Sequence, residues 1–246
     1  MADAIIHFTG DFSADQIVTT FSDLKRALPP KVLEIIECEW KLALARIGPR
    51  LYDGPMIRLN SRRIENGRLL LDLGRTSYKP FMGTNLTHPE LADEFGVEVL
   101  ANPLGLSAAL ESADGFLLFG RRNPDMAFYP NRIHPFAGTA ESADVFADMR
   151  KELEEEVGLR ESDIAEIRCL GMAEDPAIRQ PELIFKVKSR LASSEIERGL
   201  DRKEHTEIVS IRRRSEKLDL DLESSQLTPI GMVTLSLWAK TPKRTR

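Results

Sequence analysis

Three carboxylates set the chemistry available to this chain. Glu152, Glu155 and Glu156 fall within the run KELEEEVGL at residues 151–159. Their i, i+3, i+4 spacing puts them on one face of a helix. Like charges so placed weaken an isolated helix by a few tenths of a kcal/mol per pair. A hard divalent cation such as Mg²⁺, which takes carboxylate oxygens together with water and substrate phosphate, would turn that repulsion into a ligand set. The plainer reading, an acidic face turned to solvent, stands beside it. Leu153 and Val157 give the same helix an apolar side for docking on a sheet, and Gly158 is placed to stop it.

The chain around this helix must supply a sheet. At 246 residues it has room for one large domain or two small ones. Phe116 to Phe119 reads as a strand ending in Arg121-Arg122, two cations able to hold phosphate. Further strands are expected at 4–8, 106–112, 164–172, 183–187 and 208–212. Helices are expected at 13–28, where Ser13 and Gln16 form a capping pattern, and from Pro29-Pro30 through Ile47. Shorter ones are expected at 89–95 and 193–200, and a closing one at 228–239. In the second helix Val32, Ile36, Trp40, Ala43 and Ile47 recur at helical spacing, which predicts a core stripe. Asn66-Gly67 between two alternating arms predicts a hairpin with a type I′ turn. The arm after it runs into a polar stretch, residues 74–85. It is expected to form a loop whose Arg75, Tyr78, Lys79, Thr84 and Asn85 touch a phosphate or sugar. The order of elements fits an α/β class: an α/β/α sandwich with a mixed sheet over 104–246, preceded by a smaller α+β extension over 1–103 that contributes to substrate binding.

Composition narrows the partners. An apolar fraction of 42% and a charged fraction of 30% are ordinary for a globular protein. The net charge of −5 provides no basic footprint for nucleic acid. No apolar run has the length of a membrane span, and the N-terminus lacks the basic start of a signal peptide. Cys38 and Cys169 are expected to be buried free thiols, which suits a cytoplasmic setting. The basic end, Lys240 to Arg246, is expected to be a solvated tail.

The whole string at residues 138–160 resembles the Nudix box, G-x5-E-x7-R-E-U-x-E-E-x-G-U with U aliphatic. Glu152, Leu153, Glu155, Glu156, Gly158 and Leu159 match its second half. Lys151 stands where the box has Arg, and Ala143 where it has its first Glu, so the loop-bracing half departs from the pattern. Glu141 or Asp144 could substitute only if the loop is one residue short. Beyond the box, residues 73–85, 102–110 and 113–119 resemble the Nudix branch that contains a UDP-glucose pyrophosphatase and plant relatives linked to GDP-mannose. The resemblance implies hydrolysis of a nucleotide sugar such as UDP-glucose or UDP-galactose to UMP and sugar 1-phosphate, with Mg²⁺ or Mn²⁺ on Glu152, Glu155 and Glu156. It also implies a further glutamate from outside the box, with Glu204 first and Glu182, heading the 183–187 strand, second. His205, beside Glu204, is either a base or a solvated side chain. A Nudix-fold binding module without turnover, an enzyme acting on ADP-ribose or a dinucleoside polyphosphate, and a structural protein remain rival readings.

Overall fold

A computed structural model describes residues 4–22, 26–126, 128–214, 217–218 and 224–241. The described elements run β1 (Ile5–Phe12), β2 (Ile17–Phe21), α1 (Pro30–Ile47), β3 (Pro55–Glu65), β4 (Arg68–Ser77), α2 (Tyr78–Phe81), α3 (Leu91–Phe95), β5 (Gly105–Glu111), β6 (Phe116–Arg122), β7 (Ile133–His134) and β8 (Phe136–Thr139). They continue with α4 (Val145–Val157), β9 (Ile164–Asp175), β10 (Gln180–Ser189), α5 (Ser193–Arg198), β11 (His205–Arg214), β12 (Lys217–Leu218) and α6 (Pro229–Lys240).

The main sheet has nine strands in the order β1-β9-β10-β5-β6-β11-β12, with β7 pairing β6 and β8 pairing β5. It is mixed: β10 runs parallel to β5, with Glu182 opposite Gly105, and its other pairings are antiparallel. Val145, Phe146, Met149, Leu153 and Val157 of α4 pack with Leu106, Leu183, Phe185 and Val187 on one face. On the other, α6 places Ile230, Val233 and Leu237 against Leu170, Ala173 and Ile184, and Leu235 and Trp238 against Leu117 and Phe119. Helix, sheet and helix thus form the expected sandwich. Among the described residues no helix is long and apolar enough to cross a membrane.

The N-terminal part is not separated cleanly at residue 103. Its first strand, β1, is an edge of the main sheet. The smaller sheet, β2-β4-β3, sends Leu69, Leu71 and Leu73 into the same apolar cluster as α4. The hairpin turn has Asn66 at φ 50° and Gly67 at φ 74°, the left-handed geometry that an Asn-Gly pair accepts.

Several local expectations change. Of the helix expected at 13–28, a single turn, Ala14–Gln16, forms among the described residues and is followed by β2, while residues 23–25 lie outside the described residues. The cap exists, with Ser13 N–H donating to Gln16 Oε1 at 3.0 Å. The Ile-Val-Thr-Thr run after it is β-branched and gains more by pairing in parallel with β4 than by continuing the helix. The polar stretch after Leu73 stays in β4 through Ser77, then turns into α2 and a wide turn, Met82–Leu86. The stripe on α1 buries Val32, Ile36 and Ala43, leaves Trp40 half-buried and exposes Ile47. Cys38 is exposed, whereas Cys169 is buried as expected. In the basic end, residues 242–246 lie outside the described residues.

Candidate active site

The acidic helix is bounded by its own sequence. Asp144 caps α4, accepting from Phe146 N–H at 3.1 Å and Ala147 N–H at 3.0 Å. Gly158 ends it at φ 66°, and Leu159 N–H returns to Leu153 O at 3.1 Å. With the apolar side docked on the sheet, Glu152 and Glu156 lie along the flank facing β8. Gly138 of β8 leaves room for the Glu152 carboxylate, which a Cβ there would strike.

The loop before α4 is braced by residues the box pattern does not name. Asp148 is 7% exposed and its carboxylate accepts from Glu141 N–H, Ser142 N–H and Ser142 Oγ, each at 2.9 Å. Lys151 Nζ reaches Glu141 Oε2 at 2.5 Å, so Glu141 replaces the acid that Ala143 removes, while Asp144 serves as the cap. Asp148 was legible only as one more acid in an acidic helix.

A cavity of about 600 Å³ opens beside this helix. Of the expected residues, Tyr78, Arg122, Glu152, Glu182 and Glu204 line it. So do Pro55, Met56 and Phe81 from the N-terminal part, and Met126, His134 and Gln180, none of which the sequence marked as a ligand contact. His134 stood out only as a histidine shortly before the box. Tyr78 packs edge-on between Trp40 and Phe81. A second cavity, about 420 Å³ and lined by Lys186, Lys188 and Lys240, holds none of the expected residues.

Burial, and then neighbouring carboxylates, push Glu152, Glu156 and Glu182 toward their protonated forms. Burial, then Glu156, Glu155 and Glu141, raise Glu152 from 4.5 to about 7. Burial first, and Asp175 next, raise Glu182 to about 8, and Ser107 Oγ donates to it. Burial and the neighbouring Glu204 hold Glu156 well above the usual carboxylate range. Glu156 Oε2 accepts from Ala137 N–H at 2.9 Å, and Oε1 lies 3.2 Å from His205 Nε2. His205 is 1% exposed and is pushed down to about 4 by burial and then Arg122. The contact therefore joins two groups driven to neutrality, although its length is that of an ion pair. His205 is neither solvated nor in the cavity wall; it heads β11 with its ring against Phe136. Burial lowers the Arg122 guanidinium, an effect that Glu204, Glu156 and Glu182 offset, and its Nε–H is held by Phe128 O at 2.9 Å.

The remaining expected contacts go elsewhere. Thr84 and Asn85 are fully buried and used by the fold: Thr84 Oγ1 donates to Pro80 O and accepts Ala101 N–H, while Asn85 bonds Ile178 O, Arg179 O and Asn102 N–H. Arg75 lies over the Phe21 ring and Lys79 pairs with Glu37. Arg121 pairs with Glu207 at 2.6 Å. Strand alternation separates neighbours here, sending Arg122 to the cavity and Arg121 to the opposite side. Glu155 is exposed, 3.7 Å from Lys151 Nζ. Among the described residues no three His, Cys, Asp or Glu side chains already stand together in metal-holding geometry. The donor set nonetheless fits a hard cation in chemistry: carboxylate oxygens gathered beside an open cavity, with Glu152 raised by burial and then by its acidic neighbours.

No family model matches the chain. It is similar to the uridine diphosphate glucose pyrophosphatase NUDT22 of Mus musculus, 26% identical over 273 residues that span 95% of this chain and 88% of that protein. The Homo sapiens protein of the same name is 29% identical over 197 residues, 66% of this chain and 65% of its own length. Among solved structures, a NUDIX hydrolase from Nitrosomonas europaea aligns with 55% of this chain and 87% of its own at a TM-score of 0.38 and 16% identity.

Proposed function

We propose that this chain, a Nudix hydrolase of the branch that includes the uridine diphosphate glucose pyrophosphatases, cleaves the diphosphate bridge of a nucleotide sugar. UDP-glucose or UDP-galactose is the favoured substrate, with UMP and sugar 1-phosphate as products. The observation that carries the reading is the cavity in which Glu152, Glu182 and Glu204 face Arg122. Glu152 and Glu182, raised first by burial and then by neighbouring carboxylates, lie beside a cation and suit a ligand that brings both divalent metal and phosphate.

Glu152, Glu155 and Glu156 would hold Mg²⁺, or Mn²⁺ in its place, with Glu204 or Glu182 completing the set. Such an ion supplies Lewis acidity at a phosphoryl oxygen and lowers the pKa of attacking water. The chain's own residues do the rest. Arg122 neutralises diphosphate charge, and its hydrogen bond to Phe128 O fixes where its guanidinium lies. Glu152, raised to about 7, would give up its proton near neutral pH to serve as a ligand. Pro55, Met56, Tyr78 and Phe81 wall one side of the cavity and shape what the sugar or base meets. In this way the N-terminal part contributes to substrate choice. Two free thiols, one of them exposed, suit a reducing, cytoplasmic setting.

The test is incubation with Mg²⁺ and a panel of UDP-sugars, GDP-mannose, ADP-ribose and dinucleoside polyphosphates, with products identified by mass. Uracil and guanine differ in size and donor pattern, so one pocket should separate them. UDP-sugars are expected to lead GDP-mannose by at least about tenfold in kcat/KM, about 1.4 kcal/mol. A reversed order favours the GDP-mannose alternative. Turnover of ADP-ribose or a dinucleoside polyphosphate alone overturns the nucleotide-sugar reading, and binding without turnover marks a binding module.

A further inference from the structure

His134 lies in β7 and lines the cavity. Its Nδ1 stands 2.7 Å from Thr228 Oγ1. Thr228 is the N-cap of α6, and its Oγ1 already accepts Gly231 N–H at 3.0 Å. Thr228 is 1% exposed, so water does not take its hydroxyl proton. A threonine hydroxyl has one proton to give and two lone pairs to offer. Were Nδ1 protonated, Oγ1 would receive two donors and its own proton would be buried without an acceptor, an arrangement folded proteins avoid. With Nδ1 unprotonated, Oγ1–H donates to it and every group is paired. The neutral ring then carries its proton on Nε2. That nitrogen makes no hydrogen bond among the described residues, and it is on the side of the ring away from Thr228.

We propose that His134 Nε2–H is a fixed, uncharged donor to an oxygen of the substrate's diphosphate, with Thr228 as the positioning residue that sets its tautomer from the first turn of α6. The proposal rests on the nucleotide-sugar reading of this cavity. Arg122 lines the same cavity, so the anionic part of the ligand belongs beside this ring. Burial, and then the charge of Arg122, keep the ring neutral. A neutral donor suits the place. It orients a phosphate oxygen without forming an ion pair with Glu152, Glu182 or Glu204, which leaves those carboxylates free for a cation. The arrangement also links the last helix to the site: α6 closes the far face of the sheet and reaches the cavity through one hydroxyl and one imidazole.

The tautomer is read first, on the whole protein labelled with ¹⁵N-histidine, by long-range ¹H–¹⁵N correlation at pH 7. His134 is expected to show an unprotonated Nδ1 and a protonated Nε2, and addition of UMP with Mg²⁺ is expected to move the Nε2 resonance. A protonated Nδ1, or an Nε2 signal unmoved at saturating UMP, overturns the proposal whether or not nucleotide sugars are substrates. Kinetics provide the second measurement. His134→Phe should raise KM for the turned-over nucleotide sugar about tenfold, equal to about 1.4 kcal/mol, with a smaller change in kcat. His134→Gln, which keeps an N–H at similar reach, should recover most of that loss. If His134→Phe does not fold, Thr228→Val serves in its place: it should give mixed tautomers and a raised KM, with Thr228→Ser close to wild type. A folded variant without the donor whose KM stays within about twofold of wild type overturns the proposal while leaving the nucleotide-sugar activity in place. Loss of all wild-type turnover would instead fall on the proposed function, and the UMP titration would still judge His134.

Discussion

Replacing Glu152 with Gln should make the metal-free protein more stable and the enzyme worse. The carboxyl is raised from 4.5 to about 7, first by burial and then by Glu156, Glu155 and Glu141. A gap of that size corresponds to about 3 kcal/mol of preference for the protonated form. Glu152 is partly exposed, so solvent screening reduces the figure, and about 1.5 kcal/mol is the expected effect. The sign comes from linkage. Above pH 4.5 the unfolded chain releases this proton while the folded one keeps it until about pH 7. Stability therefore falls as pH rises through that window and levels off above it. Gln does not titrate, so Glu152→Gln should match wild type near pH 4.5 and exceed it by about 1.5 kcal/mol at pH 8, roughly 3–6 °C in Tm for a chain of this size. Millimolar Mg²⁺ should raise the wild-type Tm at pH 8 and raise that of the variant much less. Turnover of the nucleotide sugar should fall at least about a hundredfold in the variant. Thermal melts from pH 4.5 to 8, with and without Mg²⁺, read the outcome directly. A variant no more stable than wild type at pH 8, or a difference independent of pH, would refute the account of this carboxyl.

Asp148→Ala should destabilise the protein by about 2–3 kcal/mol in urea, because the Glu141 and Ser142 N–H groups lose their acceptor, and Asp148→Asn should cost less. Lys151→Ala should be mild, within about 1 kcal/mol by the same measurement, since its pair with Glu141 is exposed on both sides; a near-total loss of activity would show that the pair does more than brace the loop. Tyr78→Ala should raise KM more than it lowers kcat, whereas Arg75→Ala and Lys79→Ala, which lie away from the cavity, should leave kcat/KM within about twofold. Glu156→Gln should keep its acceptor for Ala137 N–H and remain folded by circular dichroism, yet lose turnover by about a hundredfold or more.

Local patterns were enough for much of this protein. Helix α4 was legible because its cap, apolar spacing and terminal glycine all lie within one short stretch, and each acts on its immediate neighbours. The Asn66-Gly67 hairpin, the strand at 116–122 and the closing helix were legible for the same reason. The helix expected at 13–28 was misread because a sound cap begins only a turn. The fate of Ile17–Phe21 was decided by a strand far along the chain, β4, with which that segment pairs. The site divides along the same line. The acidic box and the cations at 121–122 could be named from type and spacing. Which of Arg121 and Arg122 faces the cavity depended on which face of β6 turns toward α4. Thr84 and Asn85 looked like ligand contacts because they are polar, and became structural because distant carbonyl and N–H groups needed partners where they are buried. His134 gained a defined tautomer only when a helix beginning far later in the chain, at Pro229, brought the Thr228 hydroxyl to its ring. The sequence could specify which chemical groups were available and which short segments would hold them. Folding decided which groups share a cavity, because burial, the missing hydrogen-bond partners and the repulsion among carboxylates exist only once remote segments meet.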